Sequence, residues 1–353
     1  MSSRGSSTPT AWWSSTARRR SSTSAPAHRS AAASRCSSRR RGWPCSSAAS
    51  SGRSVGEGPD VAISSSLGTE HAVELRAGRL HYRERGAGTP VLLVHGGLAN
   101  ADLWREVVPA LAALGPYRLI APDLPLGSHH EAMRNGADVT PPGIVAILVE
   151  LLDALDLDRV VVVANDAGGA ISQMLAARHP ERIDRLVLTS CDQYLQFPPR
   201  YLKPVRWVSF LPRVGDLVAR SFRFRAVHGP FFRSVARTPL PPEVLDSYLR
   251  PMLEDPAIRS DLVRFFRGTR PRHTLEAARG LRTFDRPVLV LWGGSDLWFS
   301  RRGGRRLART LPLGEFDLVA GARTFVPEDA PVELARRVHA FLRDPADQYT
   351  SSS

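Results

Sequence analysis

The chain contains 353 residues, enough for one large domain or two ordinary ones, and its formal net charge is +14. Residues 1–60 hold ten arginines against two acidic residues, so this segment contributes +8 and the rest of the chain +6. More than half of the net charge therefore lies in residues 1–60, and the remaining residues are only moderately basic. The high net charge alone does not indicate a nucleic-acid partner.

Residues 1–60 consist mostly of Ser, Arg, Ala and Thr and show no apolar periodicity. Such a segment cannot bury enough apolar surface to fold, so we predict a disordered tail, and residues 347–353 are predicted to be disordered as well. The chain has a single lysine, Lys203. This indicates coding bias as the source of the arginines, and we expect the tail to be a mis-extended start. A basic tail can bind nucleic acid or anionic lipid, but we expect neither partner here.

Three further features limit the function. No stretch approaches the length needed to span a membrane. Cys36, Cys45 and Cys191 provide neither a disulfide framework nor metal-ligand spacing, so we expect a cytoplasmic location. The chain has no dinucleotide glycine fingerprint, phosphate loop or clustered metal ligands, and we expect no cofactor and no metal. The expected partner is a small-molecule substrate, and the expected state is a monomer or homodimer.

From residue 61 onward, apolar strand patterns alternate with helical ones. Strands are predicted at residues 73–75, 80–82, 90–95, 118–121, 160–164, 185–189, 287–292 and 315–319. Helices are predicted at residues 103–114, 142–155, 170–177 and 332–342. Strands that alternate with helices indicate a parallel sheet covered on both faces.

The pattern changes between residues 195 and 283, where helical segments dominate and no strong strand signal occurs. These segments are residues 201–211, 217–227, 242–253 and 261–267. A helical insertion after a sheet strand predicts a cap over the carboxyl edge of the sheet, where ligands bind in open α/β folds. We therefore predict a core at 61–194 and 284–346 and a cap at 195–283. Phe222, Phe231 and Phe232 are expected in the interior of the cap, with a pocket-lining role as the alternative.

The most informative motif follows the strand at 160–164. The strand ends at Asn165-Asp166-Ala167-Gly168-Gly169, and a helical pattern begins at once. A strand, a tight turn of small residues and a helix form a nucleophile elbow, with Asp166 at its tip. The alternative is that Asp166 only caps the helix. A letter-for-letter G-x-S-x-G match at Gly52–Gly56 lies in the tail, with no strand before it, and we set it aside.

Three other motifs follow buried strands. His95-Gly96-Gly97-Leu98 ends the strand at 90–95, and Asp296 comes just after the strand at 287–292. Asp192 comes just after the strand at 185–189. The last strand leads into the turn Gly321-Ala-Arg-Thr324-Phe-Val-Pro327. Polar residues at the carboxyl ends of parallel strands are expected to meet at one edge of the sheet.

In this order the motifs resemble those of the α/β-hydrolase superfamily, and the resemblance covers roughly residues 70–345. It implies an α/β-hydrolase fold, with a mostly parallel sheet flanked by helices and a helical cap domain. The aspartate at the elbow is similar to that of haloalkane dehalogenases and epoxide hydrolases. The Asp-x-Gly-Gly pattern also resembles uncharacterised actinobacterial hydrolases.

The resemblance also implies roles for individual residues. Asp166 would be the nucleophile that attacks an alkyl carbon and forms an ester, which water then hydrolyses. The N–H groups of Gly97 and Ala167 would form the oxyanion hole. Asp296 would orient a catalytic histidine, with Asp192 as the alternative acid.

The sequence departs from the family at the catalytic histidine, because Thr324 occupies that position. Threonine has no basic site at neutral pH and cannot act as a general base. His339 lies within the final helix and His95 is expected to be structural. We therefore consider His129 or His130 as a replacement base, with two solvated loop histidines as the alternative.

A second departure concerns halide binding. Dehalogenases typically place Trp after the nucleophile, and Asn or Trp elsewhere, to hold the halide, whereas this chain has Ala167 and Gly97. The sequence predicts an α/β-fold hydrolase that acts on a small organic electrophile, an alkyl halide, epoxide or ester, through an alkyl ester on Asp166. The alternative is a catalytically weak or inactive homologue that binds a ligand, because the expected histidine is Thr324.

Overall fold

The computed structural model describes residues 64–343. The predictions for the two disordered tails, the start of the core at residue 61 and the G-x-S-x-G match lie outside the described residues. None of the helices within residues 64–343 is long and apolar enough to cross a membrane.

One eight-stranded sheet organises the described residues, with strand order β1-β2-β4-β3-β5-β6-β7-β8. The strands are β1 (Thr69–Leu75), β2 (Gly78–Arg85), β3 (Thr89–Val94), β4 (Tyr117–Pro122), β5 (Val160–Asp166), β6 (Ile183–Cys191), β7 (Val288–Gly293) and β8 (Gly314–Val319). β2 pairs antiparallel with both β1 and β4, and every other pairing is parallel. All eight predicted strands are present, and the predicted fold class is confirmed.

Helices cover both faces of the sheet because its central strands are apolar on both sides. Every residue of β5 and β7 is buried. Outside the segment between β6 and β7, the helices are α1 (Val107–Ala112), α2 (Pro141–Ala154), α3 (Ala167–Arg178), α10 (Arg301–Thr310), α11 (Val326–Asp329) and α12 (Pro331–Arg343).

The helices differ from the sequence prediction at several places. The helix predicted at 103–114 is instead a 3₁₀ turn, Ala101–Trp104, followed by the short α1. Pro109 explains the break, because it has no N–H to donate to the carbonyl of Arg105 in a continuous helix. We did not predict α10, because its sequence is rich in Arg and Gly and buries only three residues.

Six helices fill the segment between β6 and β7, and we call them the cap helices. They are α4 (Lys203–Val208), α5 (Val214–Phe222), α6 (Arg225–Val235), α7 (Pro242–Glu254), α8 (Pro256–Gly268) and α9 (Pro271–Gly280). The segment predicted as one helix at 217–227 contains the end of α5 and the start of α6, and α9 was not predicted. The division into core and cap at residues 195 and 283 stays a prediction.

A buried ion pair joins the cap helices to the rest of the fold. Both terminal nitrogens of Arg105 donate to the carboxylate of Glu328 at 2.7 Å. The hydroxyl of Tyr248, on α7, donates to the same carboxylate at 2.8 Å. A bidentate arginine–carboxylate pair is strong and directional, so this contact fixes α7 over the start of α11.

Helix α3 approaches the sheet closely at Gly168. A Cβ atom there would overlap the backbone carbonyl oxygens of Val94 and His95. Backbone atoms in the sheet cannot move aside easily, so only glycine fits at this position.

We predict that Gly168→Ala destabilises the protein by about 1–3 kcal/mol, the usual cost of overpacking. Gly229→Ala in α6 is the matched control, because its Cβ would lie 3.8 Å from the Arg225 side chain. The control is expected to change the free energy of unfolding by less than about 0.5 kcal/mol, because the Cβ has room and the ring of the following Pro230 offsets the better helix propensity of alanine. Urea unfolding of both variants measures the difference, and equal stability of the two would contradict the packing account.

Candidate active site

Asp166 occupies the turn between β5 and α3 with backbone angles of φ 53° and ψ −128°. A positive φ is unfavourable for a residue with a side chain, and such strain is typical of functional turns. The Asp166 side chain makes no capping hydrogen bond to α3. The geometry therefore supports the nucleophile elbow rather than the helix-cap alternative.

Both predicted oxyanion-hole donors face the Asp166 carboxylate. The N–H of Gly97 donates to Asp166 Oδ2 at 3.1 Å, and the N–H of Ala167 stabilises the charged form of this carboxylate. A side chain at Gly96 would overlap the Asp166 carboxyl group. The glycine of the His-Gly-Gly motif thus lets the β3 turn approach the elbow closely enough to form this contact.

Burial raises the pKa of Asp166 to about 6. The N–H groups of Ala167 and Gly97 oppose the shift, and the Asp296 carboxylate adds to it. Removal of water disfavours the charged form, and a second negative charge disfavours it further. Asp166 is therefore mostly ionised at neutral pH but is held close to its titration range.

Asp296 lies in the turn after β7 and faces Thr324. Its Oδ1 atom accepts hydrogen bonds from the N–H of Trp298 at 2.8 Å and of Phe299 at 3.0 Å. The hydroxyl of Thr324 donates to the same oxygen at 2.8 Å. Burial raises the pKa of Asp296, and these donors oppose the shift. Asp296, which the sequence predicts as the acid that orients a histidine, thus contacts a threonine, which cannot accept a proton from water.

Asn165, which we did not single out from the sequence, holds this arrangement together. Its side-chain nitrogen donates to the hydroxyl of Thr189 at 2.9 Å and to the backbone oxygen of Thr324 at 2.8 Å. These bonds tie β5 to β6 and to the turn that follows β8. The sequence does carry a signal for this role: Asn165 is a polar residue at the end of an apolar strand, directly before the elbow aspartate.

A cavity of about 200 Å³ lies over the elbow. Its wall is mainly apolar and aromatic, and it includes residues of the cap helices as well as of the sheet edge. The lining residues are Gly97, Leu98, Asp166, Ala167, Asp192, Phe197, Pro198, Pro199, Leu202, Val205, Val218, Ser221, Phe222, Phe231, Val235, Leu262, Phe265, Phe266, Thr269, Trp298 and Phe325. Phe222 and Phe231 thus take the pocket-lining role, whereas Phe232 packs in the interior against Tyr248.

Most polar side chains in the cavity wall are already satisfied. The hydroxyl of Ser221 donates to the backbone oxygen of Val218, and that of Thr269 to Phe266. The indole N–H of Trp298 donates to Ser234 Oγ at 2.9 Å. No side-chain N–H among the described lining residues is therefore free to hold a halide.

Asp192 is the second carboxyl group in the cavity wall. It is 1% exposed, and its Oδ1 atom has no hydrogen-bond partner among residues 64–343. Burial, followed by the nearby charge of Asp166, raises its pKa well above the usual range. The structure thus brings Asp166, Asp192, Gly97 and Ala167 together at one cavity.

The structure does not bring His129 or His130 to this cavity, and neither lines it. His129 is buried, with Nε2 3.1 Å from Asp261 of α8 and Nδ1 accepting from the N–H of Gly127. Both ring nitrogens are thus engaged in the contact between a loop and a cap helix. His130 stacks on His81. The hypothesis of a replacement base at either position therefore receives no support from the geometry, and neither residue is the solvated loop histidine of the alternative.

Two other histidines have structural contacts. His95 Nδ1 donates to the Gly96 carbonyl at 2.8 Å, and His95 Nε2 accepts from the N–H of Leu124 at 2.9 Å. Burial lowers the pKa of His95 to about 4, consistent with a neutral structural ring. His339 lies 2.7 Å from the Tyr117 hydroxyl. Within the described residues, no group of three or more His, Cys, Asp or Glu side chains is arranged to hold a metal ion.

Comparison with known proteins agrees with this fold. A profile of the alpha/beta hydrolase fold family matches residues 89–331, more than half of the chain. The chain therefore belongs to the α/β-hydrolase fold family, and it is a hydrolase-type enzyme for small organic molecules.

More specific similarities are to dehalogenases and a decarboxylase. The chain is 29% identical over 306 residues to a haloalkane dehalogenase of Sphingobium indicum, covering 78% of this chain and 96% of that protein. It is 26% identical over 285 residues to a cis-3-alkyl-4-alkyloxetan-2-one decarboxylase of Shewanella oneidensis, covering 78% and 88%. The haloalkane dehalogenase DatA of Agrobacterium tumefaciens has a similar fold, with a TM-score of 0.68 at 23% identity, covering 79% and 98%.

We predict that the Asp166 carboxyl titrates near pH 6, above the value of an exposed aspartate, because burial favours its neutral form. Asp296→Asn removes one of the charges that raise this pKa, so the midpoint is expected to fall. Carbon-13 NMR of aspartate-labelled protein measures both midpoints, and Asp166→Asn identifies the resonance. A midpoint near that of a free aspartate would contradict the buried geometry.

Proposed function

We propose that this protein converts a small apolar electrophile by nucleophilic attack of the Asp166 carboxylate, with an alkyl ester of Asp166 as the intermediate. The observation that carries the proposal is the position of Asp166. It lies at a strained elbow, lines a mainly apolar cavity, and has one carboxylate oxygen against the N–H of Gly97. That arrangement orients the second oxygen as a nucleophile for a bound substrate.

In the first step, Asp166 Oδ1 forms a bond to the electrophilic carbon while the bond from that carbon to its leaving group breaks. Oδ2 stays at Gly97, so it becomes the carbonyl oxygen of the new ester. The apolar wall leaves the attacking carboxylate with few water contacts, and bound substrate is held close to it. Both effects favour displacement at carbon.

In the second step, water attacks the carbonyl carbon of the ester. Negative charge develops on Oδ2, where the N–H groups of Gly97 and Ala167 stabilise it. The family uses a histidine to take a proton from this water, and Thr324 occupies its position. We therefore expect the ester to form readily and, with an alkyl halide, to hydrolyse slowly.

The substrate class follows from the cavity and from the relatives. A volume of about 200 Å³ with an aromatic wall suits a short apolar chain or ring. The names of the two relatives indicate a haloalkane and a four-membered oxygen ring as electrophiles. Because no free side-chain N–H faces the cavity for a halide, strained oxygen rings such as epoxides fit this site better than alkyl halides.

Intact-protein mass spectrometry of a tail-trimmed chain exposed to bromohexane tests the proposal. We expect a mass increase of one hexyl group, mapped to the peptide that contains Asp166, and its persistence for many minutes. Asp166→Asn is the matched control, because it keeps the shape of the side chain and removes the nucleophile. An adduct on another residue, or an equal adduct on the control, would overturn the assignment.

A second candidate function is ligand binding without turnover, and the contact of Thr324 with Asp296 favours it. In this arrangement the acid has a hydroxyl partner instead of a base. We predict that Thr324→His supplies the base, so that the hexyl ester shortens in lifetime and hexanol appears.

Thr324→Val is the control for this substitution, because it removes the hydroxyl and supplies no base. Adduct lifetime and hexanol release are measured on both variants by mass spectrometry and gas chromatography. If the histidine variant forms the ester but does not hydrolyse it faster, the absence of a base at residue 324 does not limit the second step. If no variant forms an adduct with any electrophile, binding is the better account of this cavity.

A further inference from the structure

Asp192 is a buried carboxyl group that takes no part in the oxyanion hole or in the elbow. It follows Cys191, the residue that pairs with Asp166 between β5 and β6. It therefore lies beside the nucleophile at the carboxyl edge of the sheet, and both side chains line the same cavity. In related enzymes an acid at this point of the chain would orient a histidine, but the described cavity wall contains none.

Among the described residues, Asp192 has no cation beside it in the cavity wall, and one oxygen of its carboxyl group has no hydrogen-bond partner. Its Oδ1 atom is unpartnered within the described residues, and no Arg, Lys or His lines the cavity. The titratable groups beside it are the Asp166 carboxyl and the Cys191 thiol. The side-chain amide of Gln173 donates only to the backbone oxygen of Asp192, at 2.8 Å. A buried carboxyl without a compensating partner remains protonated rather than charged.

We propose that Asp192 is a catalytic acid and base, which protonates the oxygen released when a strained oxygen ring opens and then accepts a proton from the hydrolytic water. This inference rests on the proposed function of Asp166 and names the substrate class of the same site. In this account the unpartnered carboxyl group of Asp192 takes part in both reaction steps. It also supplies the base that Thr324 cannot provide.

Other proton donors in the cavity wall are already committed. The Ser221 and Thr269 hydroxyls donate to backbone carbonyls of their own segments, and the Trp298 indole donates to Ser234. Apart from the nucleophile, Asp192 is the one carboxyl group among the described lining residues. Burial and the charge of Asp166 both raise the pKa of Asp192, which favours its neutral form while Asp166 is ionised.

The proton balance of the first step requires such a group. Asp166 Oδ1 attacks a ring carbon of an epoxide, and the bond between that carbon and the ring oxygen breaks. The electron pair remains on oxygen, which takes the proton of Asp192. The products are a hydroxyalkyl ester of Asp166 and an Asp192 carboxylate. An alkyl halide releases halide instead, needs no proton, and leaves Asp192 protonated.

The second step restores both residues. Water attacks the ester carbonyl, and the Asp192 carboxylate accepts a proton from this water. The tetrahedral intermediate carries its negative charge on Oδ2 and collapses with release of the alkoxide. The alkoxide takes the proton of the hydroxyl left on the Asp166 carbon, so the products are a diol, an Asp166 carboxylate and a protonated Asp192. Hydrolysis is therefore fast after ring opening and slow after halide displacement.

Two probes of the same chain length, epoxyhexane and bromohexane, test this inference on the full chain. In the wild type we expect a persistent ester from bromohexane and a transient ester with diol release from epoxyhexane. For Asp192→Asn we expect the rate of ring opening to fall on the order of 100-fold, as for loss of a general acid. The rate of alkylation by bromohexane is expected to fall far less, because departure of the halide needs no proton.

Asp123→Asn is the matched control. Asp123 is also a buried carboxyl whose pKa is raised, to about 8, but it does not line the cavity. We expect this control to react with both probes as the wild type does. Single-turnover mass spectrometry of ester plus released product measures all of these rates.

The outcomes separate the two proposals. If the wild type forms no ester on Asp166 with either probe, the proposed function itself is overturned. If it forms both esters but Asp192→Asn slows both equally, or neither, Asp166 stands and the role of Asp192 is overturned. The wild-type comparison needs no variant, because equal lifetimes of the two esters would by themselves contradict Asp192 as the base.

Discussion

The contact between the Asp166 carboxylate and the N–H of Gly97 is the constraint on which the rest of the site depends. It requires the turn after β3 to approach the tip of β5, and α3 to lie directly against the sheet. Glycine at 96 and 168 makes both approaches possible, since a side chain at either position would overlap the neighbouring residues. The strained backbone of Asp166 is stable only because the surrounding strands and helix fix it.

The same close packing creates a dry site that holds several carboxyl groups. Asp166, Asp192 and Asp296 are all buried, and burial raises the pKa of each. Without a cation in the described cavity wall, the charge of one carboxyl group disfavours ionisation of its neighbours. The arrangement of donors distinguishes the three groups: Asp166 and Asp296 receive backbone N–H groups, whereas Asp192 receives none at its Oδ1 atom. The proposed role of Asp192 depends on this difference, because it requires a neutral acid beside an ionised nucleophile.

The sequence was sufficient to predict the sheet and the residues that meet at its edge. Apolar runs such as 160–164 are unambiguous because both faces of a central parallel strand are buried. The elbow is unambiguous because only small residues fit around it. The place of His129 could not be predicted, because its contact with Asp261 depends on how α8 packs over the loop. The protonation of Asp192 also depends on partners that only the fold reveals. Likewise, α10 shows little apolar periodicity because only one of its faces contacts the sheet.

For Thr324, too, the sequence predicted part of the answer and the structure supplied the rest. Its place in the motif was clear from the sequence, whereas its hydrogen bond to Asp296 and its support from Asn165 required the structure. These contacts hold the turn in place at the carboxyl edge of the sheet. Thr324 supplies no base there, so the proposed reaction depends on another proton acceptor, and Asp192 is the carboxyl group that we propose for this step.

A single turnover in oxygen-18 water tests the central claim, covalent catalysis by Asp166, most directly. Enzyme in excess over epoxyhexane is allowed to react, and the peptide containing residue 166 and the diol are analysed by mass spectrometry. The account predicts that the label enters the Asp166 carboxyl group and that the first diol released is unlabelled, because water attacks the ester carbonyl. Label in the diol and none in the peptide would show direct attack of water on the substrate and would contradict the account.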